Sequence, residues 1–173
     1  MKPVNECPVP KGILVAIGGH ENKGEDPEKE TQKIAPNRLE ILKAFIKLTE
    51  KQSPVIEVVT TASSHGDESF QDYLKAFTAL GVKTVHHIHH DKRGQALEAD
   101  LEDRIGAADA VFFSGGDELK LTSIYGGTEF LFHLKRRYIS DKIVIAGTSA
   151  GAMALSTPMI YAGNSDKQNV PGE

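Results

Sequence analysis

Apolar positions along this chain fall into two alternating patterns. One is the short continuous run: 12–17 (GILVAI), 55–60 (VIEVVT), 82–88 (VKTVHHI), 110–113 (AVFF) and 143–146 (IVIA). Runs of this kind, rich in β-branched residues and largely without polar alternation, predict strands buried on both faces. The other pattern recurs every three or four residues. Leu39, Leu42, Phe45, Ile46 and Thr49 stripe a helix that begins near Pro36 and runs to Lys51, and Phe70, Tyr73, Leu74, Phe77 and Leu80 stripe a second, closed by Gly81. Leu97, Leu101 and Ile105 mark a third, and Phe130, Leu131, Leu134 and Tyr138 another. Between these last two, Asp117 is placed to cap a short helix over 118–125.

Strands alternating with helices predict an α/β fold, doubly wound, with a mostly parallel sheet covered by helices on both faces. Residues 1–11 hold three prolines and little apolar pattern, and read as an extended leader before one α/β domain over 12–173. A formal charge of -4 lacks the basic excess that nucleic-acid binding requires, and makes an anionic membrane surface an unsuitable partner. No apolar run resembles a signal-peptide core or a bilayer span, so the expected location is cytoplasmic. Cys7 is the single cysteine and lies in the proline-rich leader, which leaves neither an intrachain disulfide nor a thiol nucleophile to consider.

In doubly wound sheets the functional loops gather at the carboxyl ends of the strands. Three of those ends carry distinctive residues: Gly18-Gly19, Gly115-Gly116-Asp117, and Gly147-Thr148-Ser149-Ala150-Gly151. The last has Gly-x-Ser-x-Gly spacing between a strand and a small-residue helix, which suits a serine held in a strained turn with its hydroxyl exposed. Ser149 is thus the candidate nucleophile; a tight turn that only needs small residues is the competing reading. Acyl transfer also needs amides aimed at the developing oxyanion. Ala150, first in the helix, supplies one, and Gly116 is the best placed second donor because no side chain blocks the approach. Taken alone, Gly-Gly-Asp is a turn with a helix cap.

The run 111–118 (VFFSGGDE), followed by 146–152 (AGTSAGA), resembles the cyanophycinases of the S51 serine peptidase group. Gly18-Gly19, the stretch 58–63 and the stretch 159–165 fit the same pattern, so the resemblance extends over nearly all of the chain from Gly12 onward. It implies a fold related to the class I glutamine amidotransferases and hydrolysis of cyanophycin, a polyaspartate bearing arginine side chains, to β-aspartyl-arginine. It also implies a homodimer, with Ser149 as nucleophile, Gly116 and Ala150 as oxyanion donors, and Asp117 and Glu118 in the substrate site. Glu118 stands where these enzymes typically carry Gln, which changes the charge offered to the substrate. Members of the family place the catalytic histidine and its acidic partner downstream of the serine. All seven histidines here precede Ser149, and the chain ends 24 residues after it. The expectation is therefore the N-terminal part of a longer or two-chain domain, with a second polypeptide beginning after Glu173 and supplying the base.

Other signals point elsewhere with less force. His86, His87, His89 and His90 could place two imidazoles on one strand face, but without matching carboxylates or cysteines they read as a strand end and not a metal site. His20 and Glu21 sit at the functional edge as a substrate contact or a solvated loop, and Asp109 and Asp141 read as turn residues. No motif calls for a cofactor. An esterase of the α/β-hydrolase type would share the serine turn but needs an HGGG-like loop and a longer chain. A binding or regulatory domain that keeps the fold without the base is the other class to weigh.

Overall fold

The computed structural model describes residues 8–19, 23, 39–99 and 101–156. Pro36, His20, Glu21 and the 159–165 stretch lie outside them. Five parallel strands form one sheet: β1 (Ile13–Ile17), β2 (Val55–Val59), β3 (Thr84–Ile88), β4 (Ala110–Phe113) and β5 (Val144–Thr148). Their spatial order is β1-β5-β4-β2-β3. The helices are α1 (Glu40–Leu48), α2 (Gly66–Ala79), α3 (Arg93–Glu98), α4 (Glu102–Ala107), α5 (Glu118–Tyr125), α6 (Glu129–Ser140) and α7 (Ala150–Met153).

Because successive side chains of a strand point to opposite faces, the central strands feed two cores at once. Ile56, Val58, Ala110, Phe112, Val144 and Ala146 pack with Leu42 and Phe45 of α1 and Tyr73 and Phe77 of α2. Val59, Val111, Phe113 and Ile145 pack on the other face with Ala96, Ile105, Leu121, Phe130 and Leu134, from α3 to α6. Helices on both faces make the sheet doubly wound, as the alternation of patterns predicts. The first core is closed by rings: Phe112 meets Phe45 edge-on at 5.3 Å and Tyr73 at 5.0 Å between centroids.

Three details depart from the sequence expectation. β1 is not buried on both faces. Among the described residues it pairs only with β5, at the sheet edge, so Ile13 and Val15 pack on the α1–α2 core while Leu14 remains 43% exposed. Leu14 opens onto an apolar groove of about 280 Å³ shared with Leu134, Tyr138, Ile145 and Leu155. The stripe Leu97, Leu101, Ile105 is not one helix but two, α3 and α4. The chain is extended at Ala99, which lets Leu101 and Ile105 enter the core while Leu97 faces solvent. Finally, α2 begins at Gly66, four residues before Phe70, the first position of its apolar stripe. A Cβ at Gly66 would lie 2.2 Å from the His89 ring, so a side chain there would have to displace that ring.

Asp117 caps α5 as expected, its Oδ1 accepting from the amides of Leu119 (2.9 Å) and Lys120 (3.3 Å). Asp109 ties the start of β2 to the loop before β4, accepting from Val55 N at 3.0 Å and from Lys51 Nζ at 2.6 Å. Among the described residues no helix is long and apolar enough to cross a membrane.

Candidate active site

The carboxyl ends of β1, β2, β4 and β5 meet around Ser149. Ser149 follows β5 directly, with φ 50 and ψ -115, a backbone conformation that non-glycine residues rarely adopt. Its amide donates to Ile17 O at the end of β1 (3.0 Å), and the neighbouring Thr148 Oγ1 donates to Gly19 O (3.2 Å). These bonds hold the turn in place.

The two glycines of the motif are explained by close approach. A Cβ on Gly147 would lie 2.3 Å from the Gly151 backbone, and one on Gly151 would lie 2.5 Å from Phe113 O. Neither contact could be relieved by a side-chain rotation, because the opposing atoms are backbone. Strand, turn and helix therefore pack against β4 only if both positions lack side chains. Strain at Ser149 itself leads to a measurable expectation. A conformation this sparsely populated costs about 1–3 kcal/mol, and glycine's extra freedom in the unfolded chain takes back about 0.5–1 kcal/mol. Ser149→Gly should accordingly raise unfolding stability by about 1 kcal/mol in urea denaturation, whereas Ser149→Ala should leave it near wild type.

Ser149, Gly115, Gly116, Ser63, His65, Glu68 and Asp72 share the wall of an open polar cavity of about 580 Å³. Gly115 lies beside the serine, where an added Cβ would stand 3.4 Å from Ser149 Cβ. Gly116 has φ 142 and seats against the loop after β2. Ala150, the first residue of α7, has an amide without an intrahelical acceptor. The structure thus brings together Ser149, Gly116 and Ala150. Asp117 and Glu118 do not line this cavity, and Asp117 Oδ1 is engaged by the α5 cap. Sequence reasoning passed over His65, Glu68 and Asp72. The spacing of Glu68 and Asp72, one helical turn apart at the start of α2, was the available signal. Among the described residues no imidazole hydrogen-bonds Ser149.

The histidines in and just after β3 have structural partners. His86 Nδ1 is 3.0 Å from the buried Glu57 carboxylate. His87 Nε2 and His89 Nδ1 both reach Thr60 Oγ1, at 2.7 and 3.0 Å, and His87 stacks on Phe70 at 4.2 Å between ring centroids. Burial holds His87 and His90 below the ordinary imidazole range, with His89 and Arg104 pushing the same way; Asp67 opposes them at His87. The folded state therefore resists protonation more than the unfolded chain does. That contribution is intact above the unfolded imidazole value of about 6.5 and is lost as pH falls from there through the depressed folded values. The urea midpoint should be lower at about pH 5.5 than at about pH 7.5, with His87→Gln reducing the difference.

A doubly wound parallel sheet with a strained serine turn beside a glycine loop at its carboxyl edge defines a class of architecture, the α/β folds whose functional loops gather at the carboxyl ends of the strands. The fold matches the crystal structure of a peptidase from an acI-B1 Actinobacterium with a TM-score of 0.59, at 20% identity over 86% of this chain and 58% of that one. Residues 30–171 match Peptidase family S51, and the chain belongs to that family. It is 30% identical over 157 residues to a cyanophycinase of Synechococcus elongatus, covering 91% of this chain and 45% of the relative. To a cyanophycinase of Geminocystis herdmanii it is 26% identical over 155 residues, 90% of this chain and 53% of the relative. The chain thus spans about half the length of the curated relatives it matches.

Proposed function

We propose that this chain carries the nucleophile of a serine-type exopeptidase that hydrolyses cyanophycin to β-aspartyl-arginine dipeptides. The observation that carries the reading is Ser149 in its strained turn, at φ 50 and ψ -115, against Gly115 on the cavity wall. In this mechanism Ser149 Oγ attacks the scissile carbonyl carbon as its proton passes to a base. The amides of Ala150 and Gly116 donate to the oxyanion of the tetrahedral intermediate. Collapse expels the amine, which takes the proton, and leaves an acyl ester on Ser149 that water then hydrolyses. Asp117 and Glu118, off the cavity wall but next to Gly116 in sequence, meet the substrate outside the serine cavity in this reading, which needs neither metal nor cofactor. A cytoplasmic location and a homodimer go with it.

The base comes from outside the described residues. We place it on a continuation of the domain, in a second polypeptide or in the same one, and the single-sided pairing of β1 among the described residues supports this. Denaturing mass spectrometry of the native sample tells these apart, a companion chain marking the first and a single heavier species the second, and a lone 18.8 kDa species would overturn both. The absence of an imidazole hydrogen bond to Ser149 among the described residues favours a second reading, a catalytically incomplete binding or regulatory domain. The deciding measurement is dipeptide release from cyanophycin and from β-aspartyl peptides by the native sample and by Ser149→Ala. Equal inertness of both, with every co-purifying chain retained, would select the binding domain.

A further inference from the structure

Gly116 is held by contacts that begin well away from Ser149. Its backbone lies so close to the loop after β2 that a Cβ would stand 2.1 Å from Ala62 O. The next amide, Asp117 N, donates to that same carbonyl at 2.9 Å. Wherever Ala62 goes, Gly116 must follow. The loop is in turn gripped from the other end of α5. Tyr125, 4% exposed, puts its hydroxyl 2.7 Å from Thr61 Oγ1 and 2.9 Å from His90 Nδ1. The backbone amide of His90 completes the ring, donating to Thr61 Oγ1 at 3.1 Å.

This closure has a geometric cause. Long side chains on a helix lean back toward its N-terminus. Tyr125, on the last turn of α5, therefore reaches the segment that the first turn touches through Asp117. Thr61 and Ala62, adjacent in sequence, are clamped at both ends by one eight-residue helix. Burial also raises the Tyr125 phenol well above its usual range, so the hydroxyl stays protonated.

We propose that Tyr125 is a positioning residue that, through Thr61, aims the Gly116 amide at the carbonyl oxygen of an acyl group on Ser149. The inference rests on the serine-peptidase reading, and its test separates the two. A fluorophosphonate probe phosphonylates an activated serine and leaves its phosphoryl oxygen where the oxyanion would sit. Loss of an oxyanion donor outright costs about 10²–10³-fold, so misdirection by Tyr125→Phe should slow labelling of Ser149 about tenfold. The loss should fall on the first-order step and leave the half-saturating probe concentration unchanged. The Gly116 amide cross-peak should move in a ¹H–¹⁵N spectrum. Thr61→Val should reproduce both effects and Thr61→Ser should restore both, a rescue that generalised loosening of the core would not give. Wild-type labelling rates with an unmoved Gly116 cross-peak in Tyr125→Phe would overturn the inference. If that variant does not fold, Thr61→Val decides on the same readouts. If the wild-type protein itself is not labelled at Ser149, the peptidase reading falls, and the Gly116 cross-peak alone still decides whether Tyr125 positions that amide.

Discussion

Ser149→Ala will remove dipeptide release and fluorophosphonate labelling while leaving the protein folded. The expected loss in kcat reaches about 10⁶-fold, the scale found when a serine nucleophile is deleted from a working hydrolase. What remains would be the contribution of substrate binding and the oxyanion amides, roughly 10³–10⁴ over water. Two features make this substitution a clean one. The Ser149 hydroxyl makes no cap bond to α7, so its removal leaves no amide of that helix without its cap. Alanine also keeps a Cβ and hence the same strained φ, so the turn is not relaxed as it would be by glycine. An activity loss with an unchanged unfolding midpoint would locate the chemistry at Oγ. Equal activity of wild type and Ser149→Ala would dismiss the serine as nucleophile, whatever the family.

The serine turn was legible in the sequence because its requirements are steric and local. Gly147 and Gly151 are needed where backbone meets backbone, and a five-residue pattern records that need. Alternation of apolar runs with helical stripes likewise gave away the two-faced sheet, since each face of β2, β4 and β5 is covered by a different set of helices. The histidines of β3 show where such reading stops. A strand of imidazoles invites a metal, yet their neighbours are Thr60, Glu57 and Tyr125, which come from β2, its following loop and α5. Sequence spacing within β3 carries no record of which residues β2 sets beside it. The same holds for the cavity wall: His65, Glu68 and Asp72 lie far upstream of Ser149 in the sequence, and only the crossover from β2 into α2 brings them to it. Leu14 illustrates the reverse error. An apolar run reports that a strand can be buried on two faces, but whether both are covered depends on its neighbours in the sheet.

Arg104→Met will destabilise the fold by about 3 kcal/mol, measured by urea unfolding and near the lower end of the 3–5 kcal/mol expected when a buried ion pair loses one member. Glu57 is fully buried in the second strand of the sheet, an acidic residue in the otherwise apolar run VIEVV. It is tolerated because Arg104 of α4 donates to it from Nη2 at 2.6 Å and from Nε at 3.3 Å. His86, opposite Glu57 across the β2–β3 pair, supplies a further contact. Methionine keeps much of the apolar stem but removes every donor, leaving a carboxylate in a place water does not reach. His86 and the partial exposure of Arg104 keep the expected cost from the upper end of the range. Replacing both partners, as Arg104→Met with Glu57→Leu, should recover most of the loss, since the penalty belongs to the orphaned charge and not to the missing pair. The site should register the single change as well. Arg104 Nη2 also donates to His87 O at 2.9 Å, and the His87 ring holds Thr60 at the head of the loop on which Gly116 rests. A drop in Ser149 labelling that accompanies Arg104→Met and persists in the double variant would tie the Arg104 contact with His87 to the loop against which Gly116 seats.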